Sequence, residues 1–200
     1  MFTESDAVES LFDRIAVCKQ HAVPLNATGF RFAGTRYANE ADLLSGQGAA
    51  GYGGRWNPRG LIAIYASLDP LTAVMESDQN FLDSGFSAPT LRPRVLAGLT
   101  IRLQSVLKVT DRRVRRFLGF TVKDLIMEDW PAIQQAGQEA WTQAIGRGAA
   151  LAGFEGILVP SARRRYGKNV VVFPTNLGGG SKVEAIGKED LPPHPSQWPG

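Results

Sequence analysis

Five apolar runs of strand length are scattered over most of the chain, at Gly29–Ala33, Leu61–Ala66, Val95–Leu103, Gly156–Ser161 and Asn169–Phe173. Helical patterns fill the intervals. No single stretch can supply a sheet, so the strands must be gathered from distant parts of the sequence, with helices laid over them. The spacing predicts an α+β fold: a single compact domain with a mixed or antiparallel sheet flanked by helices. In the first run the period is two, so Phe30 and Phe32 share one face as core anchors and Arg31 leaves the strand on the other. Val95, Ala97, Leu99, Ile101 and Leu103 alternate in the same way.

The helices announce themselves by caps and stripes. Thr3 followed by Asp6 resembles a capping box, and Val8, Leu11, Phe12 and Ile15 recur at helical spacing, predicting an amphipathic helix that ends near Gln20, before Pro24. Asp69-Pro70 is an N-cap with proline at the first helical position, and the helix it opens carries Leu71, Val74, Met75 and Glu76, fading near Gly85. Ile133, Ala136, Ala140, Trp141, Ala144 and Ile145 form a stripe within a helical segment from Pro131 to Ala150. From Pro192 the tail is proline-rich and is expected to add nothing to the core. Two hundred residues without a repeat or a long linker fit one domain.

Several function classes are disfavoured. The first residues lack the basic segment of a secretory signal, and no apolar run reaches bilayer length. The one cysteine, Cys18, excludes an internal disulfide and a cysteine-built metal cage, so a reducing, cytoplasmic setting is the default expectation. No metal spacing, phosphate-binding glycine-lysine loop or serine elbow occurs, and the only histidines, His21 and His194, read as surface residues. The net charge is only +3. Arg112, Arg113, Arg115 and Arg116 cluster, as do Arg163, Arg164, Arg165 and Lys168; each group reads as a solvated face or as a phosphate contact. A nucleic-acid-binding module built on them is a further reading, weakened by the lack of interleaved aromatics or a reading helix.

Ser45–Pro58 holds five glycines in fourteen residues. Such density makes a helix or strand interior costly and lets backbone approach a ligand closely, so the stretch is expected to be a loop. Around it stand arginines, a tyrosine, a glutamate and a serine. That inventory suits a dinucleotide with a cationic pyridinium leaving group. Breaking its N-glycosidic bond builds positive charge on the ribose, which one carboxylate favours, and the leaving group needs no proton. Arginines meet a pyrophosphate with paired donors, and an aromatic ring stacks on nicotinamide.

Phe30-Arg31-Phe32, Ser45-Gly46-Gln47-Gly48-Ala49, Gly53-Gly54-Arg55-Trp56-Asn57-Pro58, Ala63-Ile64-Tyr65, Glu76 and Gly156–Ser161 together resemble the RES domain, as does Glu128-Asp129-Trp130 through Ala140-Trp141. The likeness spans about Phe30 to Phe173. It implies a fold like that of ADP-ribosyltransferases and a toxin-type enzyme that cleaves NAD+ as a glycohydrolase or phosphorylase, with no metal. A mono-ADP-ribosyltransferase acting on a protein is the alternative. Carried over by residue, Arg31 would hold phosphate or ribose, and Arg55 would clamp the pyrophosphate beside Gly54. Tyr65 would stack on nicotinamide, Glu76 would stabilise the ribose cation, and Ser161 would position substrate. The family's usual partner is an Xre-type helix-turn-helix antitoxin, and a homodimer within such a complex is compatible with the sequence. Membrane and direct nucleic-acid contacts are not expected.

The implied division is an N-terminal helix over 1–25, the RES domain over 26–190 and a tail over 191–200. Phenylalanines replace the family's tyrosines around Arg31, and Tyr37 is the candidate to replace their hydroxyl. The first 25 residues have no counterpart in the family core, which suggests a partner or dimer contact. Read from the residues alone, Arg55 is better taken as a loop salt bridge and Tyr65 as a strand aromatic, whereas Glu76, a carboxylate on an apolar helix start, suggests function, with a structural ion pair to Arg31 or Arg55 as its alternative.

Overall fold

The computed structural model describes residues 4–83 and 93–197. Strands β1 (Val23–Gly34), β2 (Ile64–Ser67), β3 (Arg94–Lys108), β4 (Gly156–Pro160), β5 (Lys168–Val172) and β6 (Lys182–Ala185) form one mixed sheet in the order β1-β2-β5-β4-β3-β6. All pairings are antiparallel except β3 with β4. Because β1 also pairs along β3, from Val23↔Val106 to Gly34↔Arg94, the first five strands close into a ring, and β6 extends along β3.

Closure gives the sheet an inner and an outer face, and the two-residue alternation sorts side chains between them. Ile64, Ala66, Leu99, Ile101, Leu103, Leu158, Val170 and Val172 fill the inner face. Ile157, Val159, Val171 and Phe173 face outward and are covered by two helices, α1 (Glu4–Cys18) and, further along the chain, the helix that contains Ala144, Ile145 and Ala149. Leu11 and Ile15 of α1 are fully buried there, and Cys18 nearly so. The N-terminal helix is thus a wall of the core, not an appendage. Thr3 lies outside the described residues.

The glycine-rich stretch departs from the expected loop. Two short helices, α2 (Glu40–Ser45) and α3 (Gln47–Tyr52), meet at Gly46, which takes a left-handed conformation at φ 65°. Asn39 caps α2 by accepting from the Asp42 N–H at 3.0 Å. Gly48 and Gly51 are tolerated because a helix this short is held by its surroundings, not by propensity.

Helix α4 (Pro70–Asp83) starts as its cap predicts, with the Thr72 N–H donating to Asp69 Oδ1 at 2.9 Å. Its expected end near Gly85 lies outside the described residues. The buried face is not the apolar triad: Leu71 and Met75 are exposed, while Thr72 and Ala73 are buried. At helical spacing the latter pair shares its face with Glu76.

Helices α5 (Arg112–Leu118) and α6 (Val122–Met127) follow β3. The segment expected as one helix from Pro131 is two, α7 (Trp130–Gln135) and α8 (Trp141–Leu151), separated where Gly137 adopts φ 78°. Glu155, 5% exposed, precedes β4; its carboxylate accepts from the N–H groups of Gln104 (2.6 Å) and Gly178 (3.0 Å) and from the Ser181 hydroxyl (2.8 Å). From Leu191 to Gln197 no residue is buried, as the proline-rich tail predicts.

Candidate active site

The site is assembled on the outer face around β2 and β5. Tyr65 and Ser67 point outward from β2, opposite Val171 and Asn169 of β5. Glu76 reaches this face from the second turn of α4. Its Oε1 accepts two hydrogen bonds, from the Ser161 hydroxyl at 2.5 Å and from Asn169 Nδ2 at 2.8 Å. Asn169 Oδ1 in turn accepts from the Ser67 hydroxyl at 2.7 Å. Neither of the ion pairs open to Glu76 from sequence is formed; neutral donors satisfy it instead.

Ser161 is fixed by the tight loop that follows β4. Its hydroxyl oxygen accepts from the N–H groups of Arg163 (3.1 Å) and Arg164 (3.0 Å), and its own N–H bonds the Gly167 carbonyl at 2.9 Å. A Cβ at Gly167 would stand 2.7 Å from Thr72 Oγ1, so glycine allows the loop to press against α4. Arg164 locks the contact by pairing with Asp69 at 3.0 Å.

Arg55 extends from the loop after α3, where Nη1 donates to the carbonyls of Leu125 (2.9 Å) and Glu128 (3.0 Å). Glu128 is anchored in turn, because its carboxylate caps α8 by accepting from the N–H groups of Trp141 (2.8 Å) and Thr142 (2.9 Å). Burial, and after it the like charge of Arg163, push the Arg55 guanidinium below its ordinary value, while Glu76 and Glu128 act in the opposite direction. Arg55, Arg163 and Glu76 therefore share one electrostatic neighbourhood, in which a bound anion would relieve the repulsion between guanidiniums.

Tyr65 is committed to the loop. Its hydroxyl accepts from the Trp56 N–H at 2.9 Å and donates to Asn57 Oδ1 at 2.7 Å; burial pushes its pKa well above that of a free phenol, so it stays protonated and can donate. Asn57, fully buried, uses its amide to hold the carbonyls of Ala49 (2.8 Å), Pro58 (3.1 Å) and Leu61 (3.1 Å). A Cβ on Gly54 would lie 2.7 Å from both the Tyr65 hydroxyl and Asn57 Oδ1, which is why a glycine precedes Arg55.

Arg31 stands apart from this group. Its cross-strand partner is Ala97, on the inner face, whereas Phe30 opposes Ser67 on the outer one. The expectation that the two phenylalanines are the core anchors is reversed: closure makes the Arg31 face the interior, and neither Phe30 nor Phe32 is fully buried. The Arg31 guanidinium donates to the Leu43 carbonyl of α2, and burial pushes its titration down to about 10. Tyr37 is exposed, 57%, with Arg36 over its ring.

A groove of about 310 Å³ runs from Arg55 past Ile126–Pro131 to Ala162 and Arg163, the residues that follow Ser161, the donor to Glu76. A larger depression of about 390 Å³, between Pro58–Leu61, Arg147 and Asn176, has no carboxylate in its lining. Among the described residues no group of three His, Cys, Asp or Glu side chains could hold a metal, and no helix is long and apolar enough to cross a membrane. The arginine clusters are partly spoken for: Arg115 holds the carbonyls of Val109 and Thr110, Arg164 pairs with Asp69, and Arg165 lies over the Tyr166 ring.

Sequence reasoning missed Asn169, Ser67, Asn57, Glu128 and Arg163. Asn57 and Glu128 carried a signal as members of the quoted motifs, Arg163 as part of a basic cluster and Asn169 as a polar residue beside an apolar run, but none of these signals gave the role seen here; Ser67 carried none.

Known proteins point the same way. The RES domain family model matches residues 28–194. The NAD(+) phosphorylases MbcT of Mycobacterium bovis and Mycobacterium tuberculosis are each 29% identical over 162 residues, 79% of this chain and 79% of theirs. The crystal structure of the M. tuberculosis MbcT–MbcA toxin–antitoxin complex aligns with a TM-score of 0.69 at 25% identity, covering 92% of this chain and 97% of that one. The chain belongs to the RES domain family.

Proposed function

We propose that the chain cleaves the nicotinamide–ribose bond of NAD+ and acts as an NAD-depleting toxin. The observation that carries this reading is the Glu76 carboxylate, held through one oxygen by Ser161 and Asn169, in the field of Arg55, which itself lines a groove with Ala162 and Arg163. As the bond from ribose C1′ to the pyridinium nitrogen breaks, its electron pair leaves with nicotinamide, which departs neutral. The ribose acquires oxocarbenium character, and the fixed carboxylate stabilises it. An oxygen of phosphate or water then bonds to C1′. The phosphorylase names of the MbcT relatives favour phosphate.

Arg55 is assigned to the pyrophosphate, Gly54 to close backbone approach, Ser161 to positioning Glu76, and the Tyr65 ring to the loop that faces nicotinamide. Arg31 is assigned to the frame, through its hold on α2. The partner we propose is an Xre-type helix-turn-helix antitoxin in the cytoplasm, in keeping with the complex formed by MbcT.

The test is nicotinamide release from NAD+ by the purified chain, with phosphorus NMR to distinguish phosphorylated from free ADP-ribose. Glu76→Gln should lower release by about a thousandfold; an active variant would end the proposal. A labelled protein band in lysate would move the acceptor from phosphate to a protein.

A further inference from the structure

The Ser67–Asn169 pair lies behind Glu76 and does not line the groove, and it places two buried polar side chains where β2 ends and β5 begins. Ser67 is 4% exposed and Asn169 8%. They are directly opposed across β2 and β5, with Ala66 and Leu68 flanking Ser67 and Lys168 and Val170 flanking Asn169. Burying two such groups is costly unless each is satisfied, and here satisfaction runs in one direction. The Ser67 hydroxyl donates to Asn169 Oδ1 at 2.7 Å, so the amide must turn its Nδ2 end to Glu76, where it donates at 2.8 Å. In the reversed orientation, Asn169 Oδ1 would face a carboxylate oxygen and the two lone pairs would repel.

Resting on the proposed reaction at Glu76, we propose that Ser67 and Asn169 form a donor relay that positions Glu76: Ser67 orients the Asn169 amide, and Asn169 with Ser161 holds Oε1, so that Oε2 is presented to the ribose as an anion. Both bonds to Glu76 end on the same oxygen, which fixes the carboxylate plane by two directions instead of one. Chained hydrogen bonds polarise one another, so the Ser67 hydroxyl strengthens the donor that Asn169 offers although it never touches the carboxylate. Glu76 is then preorganised before substrate arrives, which is how a fixed charge contributes most to a developing cation. Asn169 and Ser67 are positioning residues in this scheme, acting through Glu76.

Two measurements decide it. In protein with carbon-13-labelled glutamate side chains, the Glu76 carboxyl is titrated by NMR in the parent, Asn169→Leu and Ser67→Ala. Removing donors to the ionised form should move the midpoint upward in Asn169→Leu and by a smaller step in Ser67→Ala. An unchanged midpoint in both variants overturns the relay whether or not the parent turns over NAD+. In the nicotinamide-release assay, Asn169→Leu should lower kcat about tenfold to a hundredfold with KM little changed, and Ser67→Ala about threefold to tenfold. Added to Asn169→Leu, Ser67→Ala should have no further effect, because its influence passes through the amide. Additive losses, or a rise in KM with kcat intact, would show independent structural roles and overturn the proposal. Should Asn169→Leu fail to fold, Asn169→Asp replaces it. Its second carboxylate should move the acid limb of the kcat profile to higher pH, and an unmoved limb overturns the relay. A parent that releases no nicotinamide while the midpoints move as stated would defeat the reaction but leave the positioning intact.

Discussion

Replacing Tyr65 by phenylalanine removes one oxygen and leaves two partners stranded. The Trp56 N–H loses its 2.9 Å acceptor and Asn57 Oδ1 its 2.7 Å donor, on residues that are 2% and 0% exposed. Each buried polar group left unpaired costs about 1–3 kcal/mol, partly offset because the phenol itself no longer has to be desolvated. The expected loss of stability is about 2–4 kcal/mol, or roughly 5–12 °C in Tm for a domain of this size. Thermal and urea melts of the parent and Tyr65→Phe measure it directly. The loss should come with an unchanged m-value, since the same surface is exposed on unfolding. At a temperature where both proteins are folded, nicotinamide release should stay within about threefold of the parent, because ring, loop register and Glu76 all remain. A stability change below about 1 kcal/mol would refute the accounting, and a hundredfold loss of kcat at full stability would give the hydroxyl a place in the chemistry that its hydrogen bonds do not.

Two further predictions concern the frame. Burial alone would raise the Glu155 carboxyl, but the N–H groups of Gly178 and Gln104, the Ser181 hydroxyl and the Ser105 N–H outweigh it and hold the group below its ordinary value. Its contribution is therefore complete above about pH 4.5 and lost as the pH falls through the depressed native value; Glu155→Gln should cost about 2 kcal/mol at neutral pH, and melts down the acid range should show that gap closing below about pH 4. Deleting residues 1–21 removes the fully buried Leu11 and Ile15 together with Cys18. At about 1.5–3 kcal/mol for each large aliphatic, the loss approaches the whole stability of a typical domain, and circular dichroism should show an unfolded or insoluble product. A cooperative melt near that of the parent would return the helix to a partner-facing role.

Much of the frame was legible because period and caps are local signals. Asp69-Pro70 opened α4 as its chemistry demands, and alternation placed β3 correctly. Ring closure was not legible, since it depends on the pairing of β1 with β3 across the chain, and it reversed which face of Phe30-Arg31-Phe32 is the interior. The same non-locality explains α2 and α3: glycine content argues for a loop, but tertiary contacts decide. Gly137 hid the division of α7 from α8 inside an apparently continuous stripe. At the site, Arg55, Glu76 and Ser161 lie in one neighbourhood, whereas the ion pair that the sequence leaves open as an alternative for Glu76 is not formed. Ion pairs seemed the natural remedy for a carboxylate among apolar residues, but only strand register reveals that an asparagine on β5 is the nearer donor.

The closed ring also limits error. Strands in an open sheet can slide by one residue at moderate cost, but here a slip of β5 against β2 would have to be matched at β4 and at the single Phe30↔Ser67 bridge that completes the circle. It would also rotate Asn169 into a hydrocarbon interior and bring a valine up beneath Glu76. Mis-threaded chains therefore carry a penalty at the very atoms on which turnover depends, so a molecule that has folded at all has its anionic group correctly seated.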